Sequence, residues 1–462
     1  MPPSKRGTPK RKTETKPTPP TVVNNPQGMV GTNFGTVINN FFRNVDEKLL
    51  KRGFVLLALL VVAGLTALYF GLKPPGKKLM TGEFRIAVLR FDEHGKGLPD
   101  NIGYTIANGI HLRLKDDLQE IAVGPKVELW GPDDLGDTLH GATAQERAEK
   151  AEQLAKQIQA YMIVYGVVEE TENGMQVVPE FYLDTLGFQE GSEVIGQYVG
   201  SPFSLPGAAT PAWQFRFDQQ MQLRTDIISS LAEGLTFFAV QDYQQALEKL
   251  QTIEQIEGWQ DDEGKEVLYA LIGFAAGKTE DYQLTETALR KAIALNPRYA
   301  RPYIGLANLD YLLALQPYTE TNDVKDVDQS LLDECFEQLQ AAEDAPEKPP
   351  LAEVETKIHF ARGQCYWLKT FSGQLPSFDL AVAEFRAVIT AYDDGRKPGV
   401  YEYAGESYAR MGLIYKLTNQ LPKAAEYYQK AIDTLGENIP KRRDLYQERL
   451  EEIQKLIAQP SP

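Results

Sequence analysis

The chain has 462 residues, with 48 Lys plus Arg against 64 Asp plus Glu, and its net charge of −16 is spread unevenly. Residues 1–52 carry +7, residues 53–72 carry no charge and residues 73–462 carry −23, which argues against nucleic acid or an anionic lipid surface as the ligand of the long acidic part. Two cysteines, Cys335 and Cys365, and four scattered histidines exclude a disulfide-rich scaffold, a Cys-based zinc module and an HExxH pair, so neither metal nor cofactor is expected.

Residues 1–20 are dense in Pro, Lys and Thr and cannot bury enough apolar surface to offset backbone ordering, so they are expected to be disordered. The composition then changes at 22–44 to VVNNPQGMVGTNFGTVINNFFRN, which mixes β-branched and aromatic residues with Asn, Gly and Thr. One reading is a flexible low-complexity spacer; the other is a strand that pairs with copies of itself through Asn ladders and stacked rings. On Gly28, Gly31, Asn33, Gly35, Val37, Asn39 and Asn40 the segment resembles the short Gly/Asn-rich amyloid-type signalling motifs of prokaryotic immunity and cell-death proteins. That resemblance implies self-association or partner assembly through 22–44.

Gly53 to Leu72 reads GFVLLALLVVAGLTALYFGL, twenty residues without a charge. At a helical rise of about 1.5 Å per residue it would span roughly 30 Å, the thickness of a bilayer core. Basic residues are concentrated before it, so the expectation is one transmembrane helix in the cell or inner membrane. The amino terminus would then be cytosolic and the large domain extracytoplasmic.

Beyond residue 80 the apolar patterning predicts strands at Phe84–Phe91, Lys126–Trp130, Tyr161–Val168 and Met175–Leu183, with helices at Asp100–Leu118 and Thr143–Ala160. The order β-α-β-α-β-β implies a small α/β sandwich. On the run Ile86-Ala87-Val88-Leu89-Arg90-Phe91, the Ala-rich helix 148–160 and Tyr161–Val168 with Gly166, residues 81–200 resemble the TolB amino-terminal-like domain family. Members often stand between one membrane helix and tetratricopeptide repeats in receptors whose cytosolic end carries a DNA-binding or cyclase domain. This chain has only its 52-residue tail there, so neither of those activities is expected. Residues 201–224, richer in Gly and Pro, are read as a linker.

The carboxy-terminal half repeats one template of small residues and aromatics. Gly234, Tyr243, Ala246 and Leu250 form one copy; Gly273, Tyr282, Leu289 and Ala292 form another, with leading glycines 39 residues apart. Gly412, Tyr415, Ala424, Tyr428 and Ala431 form a third, and Gly363, Tyr366, Phe378, Ala381 and Phe385 a copy stretched by six residues. These positions resemble the tetratricopeptide repeat, which implies an all-α solenoid over 225–458, closed by a polar capping helix.

Family resemblance puts the groove on the first helix of each pair, where the chain offers Phe238, Phe274, Tyr311 and Trp367. Those rings either pack between repeats or line an apolar peptide groove. The positions that would clamp a peptide carboxylate are mostly Leu, Ala, Ile or Phe, which argues against that mode. Cys335 and Cys365 read as small buried apolar residues rather than a disulfide.

The expectation is therefore an α+β membrane-anchored, non-enzymatic protein made of one transmembrane helix, a small α/β sandwich and a tetratricopeptide-repeat solenoid. It would bind a protein or peptide through the solenoid and signal or assemble through its tail. The alternative is a structural scaffold of an envelope complex with a passive tail.

Overall fold

Strand β1 (Phe84–Val88) sends Ile86 and Val88 to one face of a sheet and Ala87 to the other, and all three are fully buried, so the sheet is covered on both sides. The structure, a computed structural model, describes residues 78–458 apart from 120–125, 137, 173, 185, 189–192, 201, 207–210, 262–263, 349–350, 395–399 and 437–438. The described residues belong to one unit, Lys77–Pro462.

The sheet adds β2 (Asp92–His94), β3 (Val127–Trp130), β4 (Met162–Thr171), β5 (Gly174–Leu183), β6 (Gly196–Val199) and β7 (Phe203–Pro206). Its order is β3-β1-β4-β5-β6, with β2 paired to β4 and β7 to β5. β1 runs parallel to β3 and β4, whereas β4 and β5 form an antiparallel hairpin from Met162↔Leu183 to Thr171↔Gly174. The apolar run predicted as one strand over Phe84–Phe91 divides, because the regular ladder stops at Val88 and Arg90 makes only an isolated bridge with Thr138.

Helix α1 (Ile102–Gln119) covers one face with Ile102, Ile106, Ile110 and Leu114, a four-residue spacing that keeps them on one side. After the single turn α2 (Pro132–Leu135), α3 (Ala144–Ile158) covers the other face with Ala151, Leu154, Ala155 and Ile158. Thr143 caps α3 by accepting a hydrogen bond from the Glu146 amide. A buried ion pair ties α3 to the sheet: Arg147 holds Glu180 of β5, and Gln197 Nε2 donates to the other carboxylate oxygen at 2.9 Å. Burial is tolerable there because each oxygen has a donor.

Eleven further helices follow among the described residues: α4 (Pro211–Ala239), α5 (Tyr243–Thr252), α6 (Lys265–Lys278), α7 (Tyr282–Leu295), α8 (Ala300–Thr321), α9 (Gln329–Asp344), α10 (Leu351–Phe371), α11 (Asp379–Asp393), α12 (Tyr401–Leu417), α13 (Leu421–Leu435) and α14 (Pro440–Ala458). They form a helical solenoid. The repeated glycines explain the close crossing within pairs. A methyl on Gly234 would meet Leu250 at 2.9 Å, on Gly273 Leu289 at 2.7 Å and on Gly412 Tyr428 at 3.1 Å, each facing a residue sixteen positions on. In the stretched copy Gly363 faces Phe385 at 2.8 Å, twenty-two positions on, so the six extra residues bulge outward and leave the contact in place. The interval 201–224 holds β7 and the first part of α4, and one continuous core joins the α1 face of the sheet to α4–α7.

Three expectations meet the structure differently. The membrane-anchored fold class is corrected to a mixed sheet with a helical repeat region, because among the described residues no helix is long and apolar enough to cross a membrane. The longest, α4, carries Arg224, Asp226 and Glu233, and such charges are costly in hydrocarbon. Single-pass membrane localisation is corrected on the same ground; the predicted span, 53–72, lies outside the described residues. Finally, Cys335 of α9 and Cys365 of α10 are joined in a disulfide, because the crossing of two adjacent helices brings residues thirty positions apart together.

Candidate functional site

The first helices of successive pairs, α6, α8, α10 and α12, together with residues of α7 and α14, line an open cavity of about 690 Å³. Gly273 and Gly305 keep its wall thin where helices pack closely, and aromatic, aliphatic and charged side chains share its lining. Of the residues singled out from sequence, Phe274, Tyr311 and Trp367 line this one cavity. Phe238 does not; it is buried against Phe188 of the sheet module and Tyr243, with ring centres 6.4 and 5.0 Å away. The tail positions Gly28, Gly31, Asn33, Gly35, Val37, Asn39 and Asn40 lie outside the described residues.

Trp367 is 7% exposed, stacks on Phe371 at 5.1 Å, and its indole Nε1 has no hydrogen-bond partner among the described residues. At the rim the apolar surface opens to water: Leu312 is 46% and Leu445 44% exposed. Exposed leucines beside buried rings form a contiguous apolar lining, the kind of surface that marks a binding site.

The same cavity holds charges that no sequence spacing announces. Arg301, at the start of α8, is buried to 2% exposure and its Nη1 donates to the Tyr198 hydroxyl at 3.1 Å and to the Glu193 carbonyl at 3.4 Å. Lys357 on α10, also buried, donates from Nζ to the Ile195 carbonyl at 3.1 Å. Lys278 at the end of α6 pairs with the Glu193 carboxylate at 3.0 Å. Three groove cations therefore grip the described residues 193–195 of the sheet module. On the far side Arg442 pairs with Glu402 at 2.7 Å and with Glu406 at 3.3 Å.

Arg410 stands apart. Its guanidinium lies over the Trp367 ring at 5.5 Å and has no hydrogen bond or ion pair among the described residues. Asn308 and Gln364 add side-chain amides to the lining.

Burial dominates the protonation of this floor. It pushes the Lys357 ammonium down to about 7, with the neighbouring Arg301 adding to the fall and Glu353 opposing it. Burial likewise raises the Glu353 carboxyl above its ordinary range, against the pull of Lys357. Both shifts favour an uncharged pair, as expected where water cannot solvate either ion.

A solved crystal structure similar to this chain is that of a thermophilic TPR protein from Thermus thermophilus, with a TM-score of 0.35 and 17% identity. The alignment covers 49% of this chain and 98% of that one. No family model matches the chain, and no curated protein matches it.

Proposed function

We propose that this protein is a non-enzymatic binding protein whose solenoid takes up a segment of a protein partner in the cavity between α6 and α14. The observation that carries the proposal is the cavity itself, with buried rings from three helices and exposed leucines at its rim. A concave, largely apolar lining with charged groups at fixed places recognises bulky side chains through area burial.

We further read the helix pairs as tetratricopeptide repeats and residues 81–200 as a TolB amino-terminal-like domain. The glycine-to-large-residue contacts within pairs support the first, and the order of strands and helices around the IAVLRF run supports the second. For the tail, the assembly reading rests on composition; a peptide covering Val30 to Phe42 that forms no thioflavin-positive fibres ends it.

The experiment is affinity capture from cell extract with the full chain and with a Leu312→Glu/Leu445→Glu variant. Both leucines are exposed, so the variant should melt with the wild type. A protein retained by the wild type and lost by the variant is the expected result. An identical captured set from both proteins would remove the cavity from the binding reaction.

A further inference from the structure

One end of the groove already shows how it holds a segment of backbone. Across Glu193 to Ile195 the sheet module presents a carboxylate to Lys278, a carbonyl to Arg301 and, two residues on, a second carbonyl to Lys357. The readout combines one acidic side chain with backbone acceptors, all met by donors from α6, α8 and α10. Towards α12 the pattern is incomplete. Arg410 offers the same kind of donor with no hydrogen-bonded acceptor among the described residues, beside the unpartnered indole Nε1 of Trp367 and the amides of Asn308 and Gln364. The remaining acids in that part of the lining, Glu402 and Glu406, are held by Arg442. The Arg410 guanidinium feels the Glu406 charge without bonding to it, and a carboxylate is the group that satisfies its fork geometry.

We propose that the partner segment carries an acidic side chain, flanked by bulky apolar residues, whose carboxylate binds Arg410 while its neighbours pack against Trp367, Tyr311 and the rim leucines. This rests on the cavity being the partner site and adds the charge of its occupant. Charge complementarity decides the sign: a basic segment would meet Arg301 and Arg410 with repulsion and give Arg410 no carboxylate to bind.

The test is selection from a displayed random peptide library on the immobilised full chain, carried out in parallel on Arg410→Met and Arg410→Glu. Melting curves of both variants confirm that they fold. The wild type is expected to enrich peptides with an Asp or Glu amid aromatic and aliphatic residues. Arg410→Met should lose that acidic preference and bind the wild-type winners about tenfold more weakly, and Arg410→Glu should replace it with Lys or Arg. An acidic preference unchanged in Arg410→Glu, or none in the wild type, overturns the charge assignment and leaves the cavity reading standing. Absence of enrichment over uncoated support overturns both.

Discussion

The guanidinium of Arg410 on α12 stands 5.5 Å over the ring of Trp367 on α10, and that ring stacks on Phe371 one turn further along its own helix. One side chain therefore both cements two repeats and faces the cavity. Trp367→Ala should cost about 3–5 kcal/mol, the range for deleting a buried large aromatic, measured by urea denaturation. Trp367→Phe keeps a ring under Arg410 and should cost less than half as much. A loss below about 1 kcal/mol for the alanine variant would show that the ring is not part of the packing.

Lys357 gives the solenoid a signature at alkaline pH. Its amine is near 7 when folded against 10.5 as the ordinary value. Between those values the unfolded chain holds a proton that the folded chain lacks, so the group's contribution to stability rises with pH through this window, and its penalty is complete below about 7. Wild type should gain stability relative to Lys357→Met as pH goes from about 6.5 to about 9. A difference between the two that does not change with pH would contradict the assignment.

Asp310 on α8 behaves with the opposite sign. Burial, helped by Glu334 and resisted by Arg290, raises its carboxyl from 3.8 to about 7. The folded chain then keeps a proton that the unfolded chain has lost, and stability falls as pH rises from about 4 to about 7. Asp310→Asn should be more stable than wild type at pH 8 by about 2 kcal/mol after discounting for solvent screening, and close to wild type at pH 4. Equal stabilities at pH 8 would refute it.

Two glycines on α6 provide a paired test of the helix crossing. A Cβ on Gly273 would lie 2.7 Å from Leu289, whereas on Gly277 the nearest neighbour is 3.7 Å away at Thr285. Gly273→Val should cost about 2–3 kcal/mol through overpacking, and Gly277→Val well under half of that. Calorimetric melting of the two variants distinguishes them.

The Cys335–Cys365 disulfide closes a segment of thirty residues between α9 and α10. On the chain-entropy account such a link contributes about 3–4 kcal/mol. Reduced protein and a Cys335→Ala/Cys365→Ala variant should both melt lower than the oxidised wild type, and the native protein should titrate no free thiol among these two residues.

Much of this architecture was readable along the chain because its causes are local. Each repeat glycine and the large residue it faces are separated by one helix turn-back, so Gly273 with Leu289 and Gly412 with Tyr428 appear as a fixed offset. Alternation along β1 and four-residue spacing along α1 likewise report which side each residue buries. Three of the four groove aromatics share a cavity because first helices stack in register. Phe238 left that set because the sheet module packs against α4 and takes the ring into the common core.

The charges of the site were not readable in this way. Arg301, Lys357 and Arg410 lie more than fifty residues apart on three helices, and residues 193–195 belong to the sheet module. Nothing in their local sequence distinguishes them from solvated surface charge. Stacking of the solenoid against the sheet desolvates Arg301 and Lys357 and pairs Lys278 with Glu193, whereas packing among the repeats sets Arg410 over Trp367 at the cavity. The disulfide follows the same rule, since neither cysteine's neighbours indicate which helix will cross it. Sequence determined the elements and their buried faces through short-range periodicity; the tertiary structure decided which charges lost water and which found a partner, because desolvation depends on what the distant parts of the chain bring together.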